Sequence, residues 1–128
     1  MKYLLICLIC FAGVSAFGQE ATKPKLKEYL GVLTLPEKYQ DEKNWTPKEE
    51  AIVNDHFQRL LRLKDEGVVV LAGRTDLALD HPGMMGLVVF YASDDAAAEQ
   101  LMREDPAVKN KIMLAKVYPY GIAVSKCK

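Results

Sequence analysis

Residues 46–74 read TPKEEAIVNDHFQRLLRLKDEGVVVLAGR. They spell one helix, a glycine stop and a buried strand. Thr46 suits a helix N-cap, Pro47 the first helical position and Glu49 the third residue of a capping box. At about 100° per residue from Ile52, the residues Leu63, His56, Leu60, Val53, Phe57 and Leu61 share one half of the helix. Asp55, Gln58, Arg59 and Arg62 fall on the other half. Gly67 fits the left-handed position after a helix end. Val68 to Ala72 is then an uninterrupted apolar run, as expected of a strand within a sheet. An imidazole therefore faces the side that packs on the sheet.

The chain around this unit has 128 residues, enough for one domain, and half of them are apolar. Seventeen acidic and seventeen basic residues balance to zero net charge, which argues against a nucleic-acid partner held by a basic surface. Residues 1–18 read as a signal peptide: Lys2, an apolar stretch from Tyr3 to Val14, then small residues. Cleavage after Ala16 or Gly18 fits. The expectation is export to the periplasm or the extracellular space, with no stable membrane insertion once the leader is removed. Cleavage takes Cys7 and Cys10 with it and leaves Cys127, so no internal disulfide framework is expected. Nor does any Cys/His spacing suggest a metal site.

Residues 19–27 form a polar lead-in, and the folded domain is expected over 28–124. Glu28 to Leu35 reads as a strand ended by Pro36. Pro36 to Trp45 is a polar loop carrying Tyr39 and Trp45, which either covers a site or is pinned by its two aromatics. A turn-rich stretch, Thr75 to Gly86, leads to a strand over Leu87 to Ala92. Ser93 caps a second helix with Asp94 and Asp95 in its first turn, and Pro106 stops it. Ile112 to Val124 reads as a long last strand made irregular by Pro119 and Gly121.

The order strand, helix, strand, strand, helix, strand is the ferredoxin-like βαββαβ arrangement. It is an α+β fold with a four-stranded antiparallel sheet and two helices on one face. The other face is left uncovered with apolar side chains on it, which predicts a homodimer packed sheet to sheet.

Few residues can carry chemistry. The chain has two histidines. His56, among Ile, Val, Phe and Leu, needs hydrogen-bond partners; it is either a packed structural histidine or a general acid–base group. Asp105, before Pro106, suits a cap for the turn that follows, and a carboxylate can orient a histidine while capping. His81 belongs to a loop. Arg74 at the end of the second strand suits an anionic substrate group or is a solvated strand-end charge. Tyr118 and Tyr120 flank Pro119 and either line a pocket or pack at a dimer interface. No phosphate-binding glycine loop, nucleophile elbow or HExxH motif is present.

The set His56…Leu60…Leu63…Gly67…Leu71-Ala72-Gly73-Arg74-Thr75, then Gly86-Leu87-Val88-Val89-Phe90, then Ala97…Asp105-Pro106-Ala107-Val108, then Tyr118-Pro119-Tyr120 resembles YciI-like (YCII-related) domains. The resemblance spans about Glu28 to Val124. It implies a dimeric α+β barrel in which His56 and Asp105 are the matching catalytic pair. Related members include a dehydrochlorinase of a chlorinated hydroxyhydroquinone, and muconolactone isomerases share the fold. The resemblance thus implies a cofactor-independent lyase or isomerase acting on a small ring-type substrate, with Arg74 and Tyr118 as substrate-binding candidates and no metal. The alternative is a non-catalytic, exported domain for small-ligand binding or assembly. Two departures stand out, the leader and the long loop over Pro36–Trp45.

Overall fold

The computed structural model describes residues 25–126. The leader assigned to 1–18, the lead-in up to residue 24 and Cys127 lie outside them. Four strands and three helices follow in order: β1 (Lys27–Thr34), α1 (Pro47–Asp65), β2 (Val69–Arg74), β3 (Gly86–Ala92), α2 (Asp95–Arg103), α3 (Pro106–Lys109) and β4 (Leu114–Pro119). The strands form one antiparallel sheet in the order β2-β3-β1-β4. This is the ferredoxin-like α+β arrangement.

α1 begins as its sequence dictates. The Thr46 side chain accepts from Lys48 N–H, and Glu49 reaches back to the Thr46 backbone N–H at 3.2 Å. The Thr46 hydroxyl also donates to Glu49, and chiefly through that bond holds its carboxyl below the usual carboxylate range. The helix ends in a Schellman turn. Gly67 takes φ +76°, Gly67 N–H meets the Lys64 carbonyl, and Val68 N–H reaches back to Leu63. Residues with a Cβ adopt that φ at a cost, so glycine belongs there.

Strand alternation and register set the two faces of the sheet. Tyr29, Gly31 and Leu33 pair with Phe90, Val88 and Gly86, and most of these are buried under the helices. Gly31 gives α2 a close seat: a Cβ there would lie 3.0 Å from Met102 Cε, and that side chain would have to shift to admit it. Tyr29 and Phe90 stack with ring centroids 6.0 Å apart, and the Tyr29 hydroxyl donates to Asp95 at 2.7 Å. A second, smaller cluster joins Tyr39, Ala107 and Ile112 at the other end of α1. On the uncovered face Leu30 pairs with Val89 and Tyr118, and Val32 with Leu87. Leu71, Leu114 and Tyr118 are about half exposed there.

Several expectations are corrected. The 36–45 loop contains two 3-10 turns, Glu37–Gln40 and Glu42–Asn44. Tyr39 is buried, its ring lies 5.5 Å from Trp45, and Trp45 Nε1 donates to the Tyr39 carbonyl, so the aromatics pin this segment to the body. The last strand is shorter than read. Ile112 is a core residue before it, and beyond Pro119 the chain is held by Tyr120 and Ile122 N–H groups bonded to Glu28. Asp94, not Ser93, caps α2, its side chain accepting from Ala97 N–H, and the turn that Asp105 caps is a short helix, α3, with Pro106 at its first position.

Candidate functional site

Two local features aim at each other across 49 residues. The first is Asp-Pro. Pro106 keeps Asp105 out of helical geometry (φ −63°, ψ 132°) and itself occupies the first position of α3. Asp105 is thereby the N-cap of α3: its Oδ1 accepts from Ala107 N–H at 2.9 Å. With one oxygen fixed, Oδ2 points toward α1. The second feature is the buried stripe of α1, where His56 and Leu63 are the two buried residues. His56 Nδ1 lies 2.8 Å from Asp105 Oδ2. The carboxylate is 1 % exposed. A charged group so buried is tolerated only where partners replace water, and here three surround it.

The third partner is Arg59, whose Nη1 lies 3.6 Å from the same Oδ2. Its Nη2 donates to the Leu101 carbonyl in the last turn of α2 at 2.8 Å. The helical wheel assigned Arg59 to the polar half, yet its side chain is 12 % exposed. The reverse error concerns Phe57 and Leu61, assigned to the packed half but 54 % and 36 % exposed. The buried arc of α1 is centred on His56 itself. Arg59 flanks it on one side, and Phe57 and Leu61 on the other.

Those two bare side chains form part of a cavity wall. A cavity of about 600 Å³ opens between α1, the ends of β1 and β2, and the β2–β3 connection. Trp45, Phe57, Leu60, Leu61, Leu79 and Met84 give it mostly apolar walls, and the His56 ring is part of them. A charged carboxylate only accepts hydrogen bonds, so Nδ1 carries the hydrogen, and in the neutral ring Nε2 carries the lone pair. Among the described residues Nε2 has no hydrogen-bond partner. The arrangement can accept a proton from a molecule in the cavity and return it.

Arg74 lies at the same cavity, exposed and without an ion-pair partner among the described residues. Lys64 also borders it but pairs with Asp65 at 2.8 Å. Tyr118 is not brought to this cavity. Its register opposite Leu30 puts it on the sheet face away from the helices, and it borders a separate hollow with Arg103 and Lys116. His81 is exposed and accepts the Gly83 N–H through Nδ1, a turn role. Among the described residues no cluster of His, Cys, Asp and Glu could hold a metal, and no helix is long and apolar enough to cross a membrane.

The sequence profile of the YCII-related domain matches residues 19–119. No curated protein matches the chain.

Proposed function

The chain belongs to the YCII-related family, and from that premise we propose that it is a cofactor-independent lyase or isomerase. His56 moves a proton on a small ring-type acid held in the cavity. One observation carries the reading: a histidine oriented at 2.8 Å by a buried carboxylate forms the wall of a cavity about 600 Å³ in volume. A histidine kept only for packing has no need to border a cavity. The volume falls in the range of small-molecule sites, about 300–1,000 Å³.

In this reaction Nε2 takes a proton from a carbon beside an electron-withdrawing group. The C–H electron pair becomes a new double bond. In a lyase the adjacent carbon then releases an anionic leaving group. In an isomerase the imidazolium returns the proton to a different carbon. Asp105 holds the ring and balances the charge it gains. Arg74 binds the acid group at the mouth, and Phe57 and Trp45 face the ring.

The second reading, a non-catalytic ligand-binding domain, is favoured by the apolar walls. One experiment separates the two. A panel of cyclic acids and lactones is incubated with the protein in deuterated water, and exchange of carbon-bound hydrogen is followed by proton NMR. Exchange on at least one compound, falling by about 10²–10⁴-fold in His56→Ala, supports proton transfer. Binding without exchange supports the ligand-binding reading. Equal exchange by the parent and His56→Ala removes His56 from the chemistry.

We propose further that residues 1–18 are a leader that directs export, and that the open sheet face pairs with a second copy.

A further inference from the structure

Arg59 is a buried cation whose surroundings use it only in part. Nη2 satisfies the Leu101 carbonyl, which α2 leaves without a partner because Asp105 N–H bonds to Met102 instead. That half is an ordinary helix C-cap. Nη1 is different: it is buried and has no hydrogen-bond acceptor. Its nearest charge is Asp105 Oδ2 at 3.6 Å, the oxygen that already holds His56. A cap alone could be supplied by an uncharged amide. A guanidinium is needed only if its charge matters where Nη1 points.

We propose that Arg59 is a positioning residue for the His56–Asp105 pair. It keeps the carboxylate charged and fixed against Nδ1, so that Nε2 meets the cavity as a lone pair. The inference rests on the reading of His56 as a base. Its electrostatic logic follows from the count of charges. With Arg59 present, a neutral imidazole leaves the buried group balanced, Asp105 negative and Arg59 positive. Protonating the imidazole adds an uncompensated positive charge. Without Arg59, the protonated imidazole and Asp105 balance each other, so the protonated ring is favoured relative to the parent. The other charged side chains bordering the cavity are Lys64 on α1, paired with Asp65, and Arg74 on β2, both exposed. The carboxylate and guanidinium behind the ring therefore dominate. When His56 gains a proton in turnover, Nη1 and Nδ1 compete for Oδ2, which favours giving the proton back.

The test needs no substrate, so it stands apart from the hydrogen-exchange screen. The ring nitrogens of His56 are followed by long-range proton–nitrogen NMR as pH is varied, in the parent and in three Arg59 variants whose folding is checked by circular dichroism. In the parent, the neutral ring carries its hydrogen on Nδ1. Arg59→Gln retains a donor for the Leu101 carbonyl but no charge, and Arg59→Met retains neither. Both are expected to move the titration of the ring upward by about one pH unit. Arg59→Lys retains the charge and stays near the parent. An unchanged titration in folded Gln or Met variants reduces Arg59 to a helix cap and overturns the proposal. A readout on the parent alone guards against variants that fail to fold. The Arg59 guanidinium resonances are expected to shift at the same pH midpoint as the His56 ring, and their indifference to it likewise overturns the proposal. Loss of the proton-transfer reading in the exchange screen would leave this titration result intact.

Discussion

Asp105 holds His56 with one carboxylate oxygen and begins a helix with the other, at 2.8 Å and 2.9 Å. The same residue is thus a fold element and a site element. Asp105→Asn separates the two roles. The amide oxygen can still cap α3, so the helix survives. Its NH₂ group, facing Nδ1, donates where the carboxylate accepted, and the ring hydrogen moves to Nε2. The base then faces the cavity in the wrong tautomer. Exchange activity is expected to fall by about 10²-fold or more, comparable to losing the base. Asp105→Ala removes the cap as well and leaves Arg59 without a counter-charge. That variant is expected to lose about 3 kcal/mol of stability in urea unfolding. Full exchange activity in the Asn variant would show that Asp105 only caps.

Much of this site was legible because its causes are local. The Thr46–Pro47–Glu49 start, the Gly67 stop and the Asp105–Pro106 break each follow from one residue's backbone limits. The ferredoxin-like α+β class followed from the alternation of elements. Arg59 was missed because dividing a helix by polarity hides position. It stands only about 20° from Ile52 on the wheel and three residues from His56, which makes it a neighbour of both. Its long aliphatic stem lets the charge end inside. Phe57 and Leu61 were misplaced for the converse reason. Periodicity finds an apolar side but not where the sheet beneath it ends. The cavity itself needed the 75–85 connection in place, and nothing in spacing alone sets that. Tyr118 depended on register: one residue along β4 decides which face it takes.

Arg74 should act in binding and not in proton transfer. A free guanidinium at an apolar cavity suits a carboxylate on an otherwise apolar ligand. Benzoate, titrated against the nitrogen-labelled protein, is expected to shift resonances around His56 and Phe57. Arg74→Ala is expected to weaken that binding about tenfold, a difference of about 1.4 kcal/mol. Benzyl alcohol, lacking the charge, should bind both forms alike. On a substrate found by the exchange screen, the same change raises KM and leaves kcat nearly unaltered. Equal benzoate binding by both proteins would remove Arg74 from the site.

The core is expected to be sensitive to alkali. The Tyr29 hydroxyl donates to Asp95, and that bond, with burial and the charges of Asp95 and Asp94 adding to it, pushes the phenol up to about 12. Tyrosine in an unfolded chain titrates near 10. The folded state therefore favours the neutral phenol. Its contribution is complete below about pH 10 and is lost as pH rises through about 12. Tyr29→Phe lacks this term at every pH. The difference in urea midpoint between parent and variant should shrink over that window, since other alkaline titrations affect both alike. A constant difference would mean that the Asp95 bond does not distinguish the two forms of the phenol.

The open face of the sheet makes the last prediction. Leu30, Val32, Leu87 and Val89 share it by register with Leu71, Leu114 and Tyr118, whose large side chains are about half exposed. An apolar surface built from all four strands is unusual on a lone small domain. The proposed dimer would cover it by symmetry, since the same face then meets itself. The parent is expected to sediment at twice the chain mass at micromolar concentration. Leu30→Glu places a charge at the centre of that face, on an inner strand and away from the helices. Burying it unpaired in a dimer is unfavourable, while a monomer leaves it in water. This variant should sediment as a folded monomer with an unchanged far-ultraviolet spectrum. If the cavity belongs wholly to one chain, the monomer still binds benzoate as the parent does. A monomeric parent would instead leave this face to some other occupant and remove the dimer from the proposal.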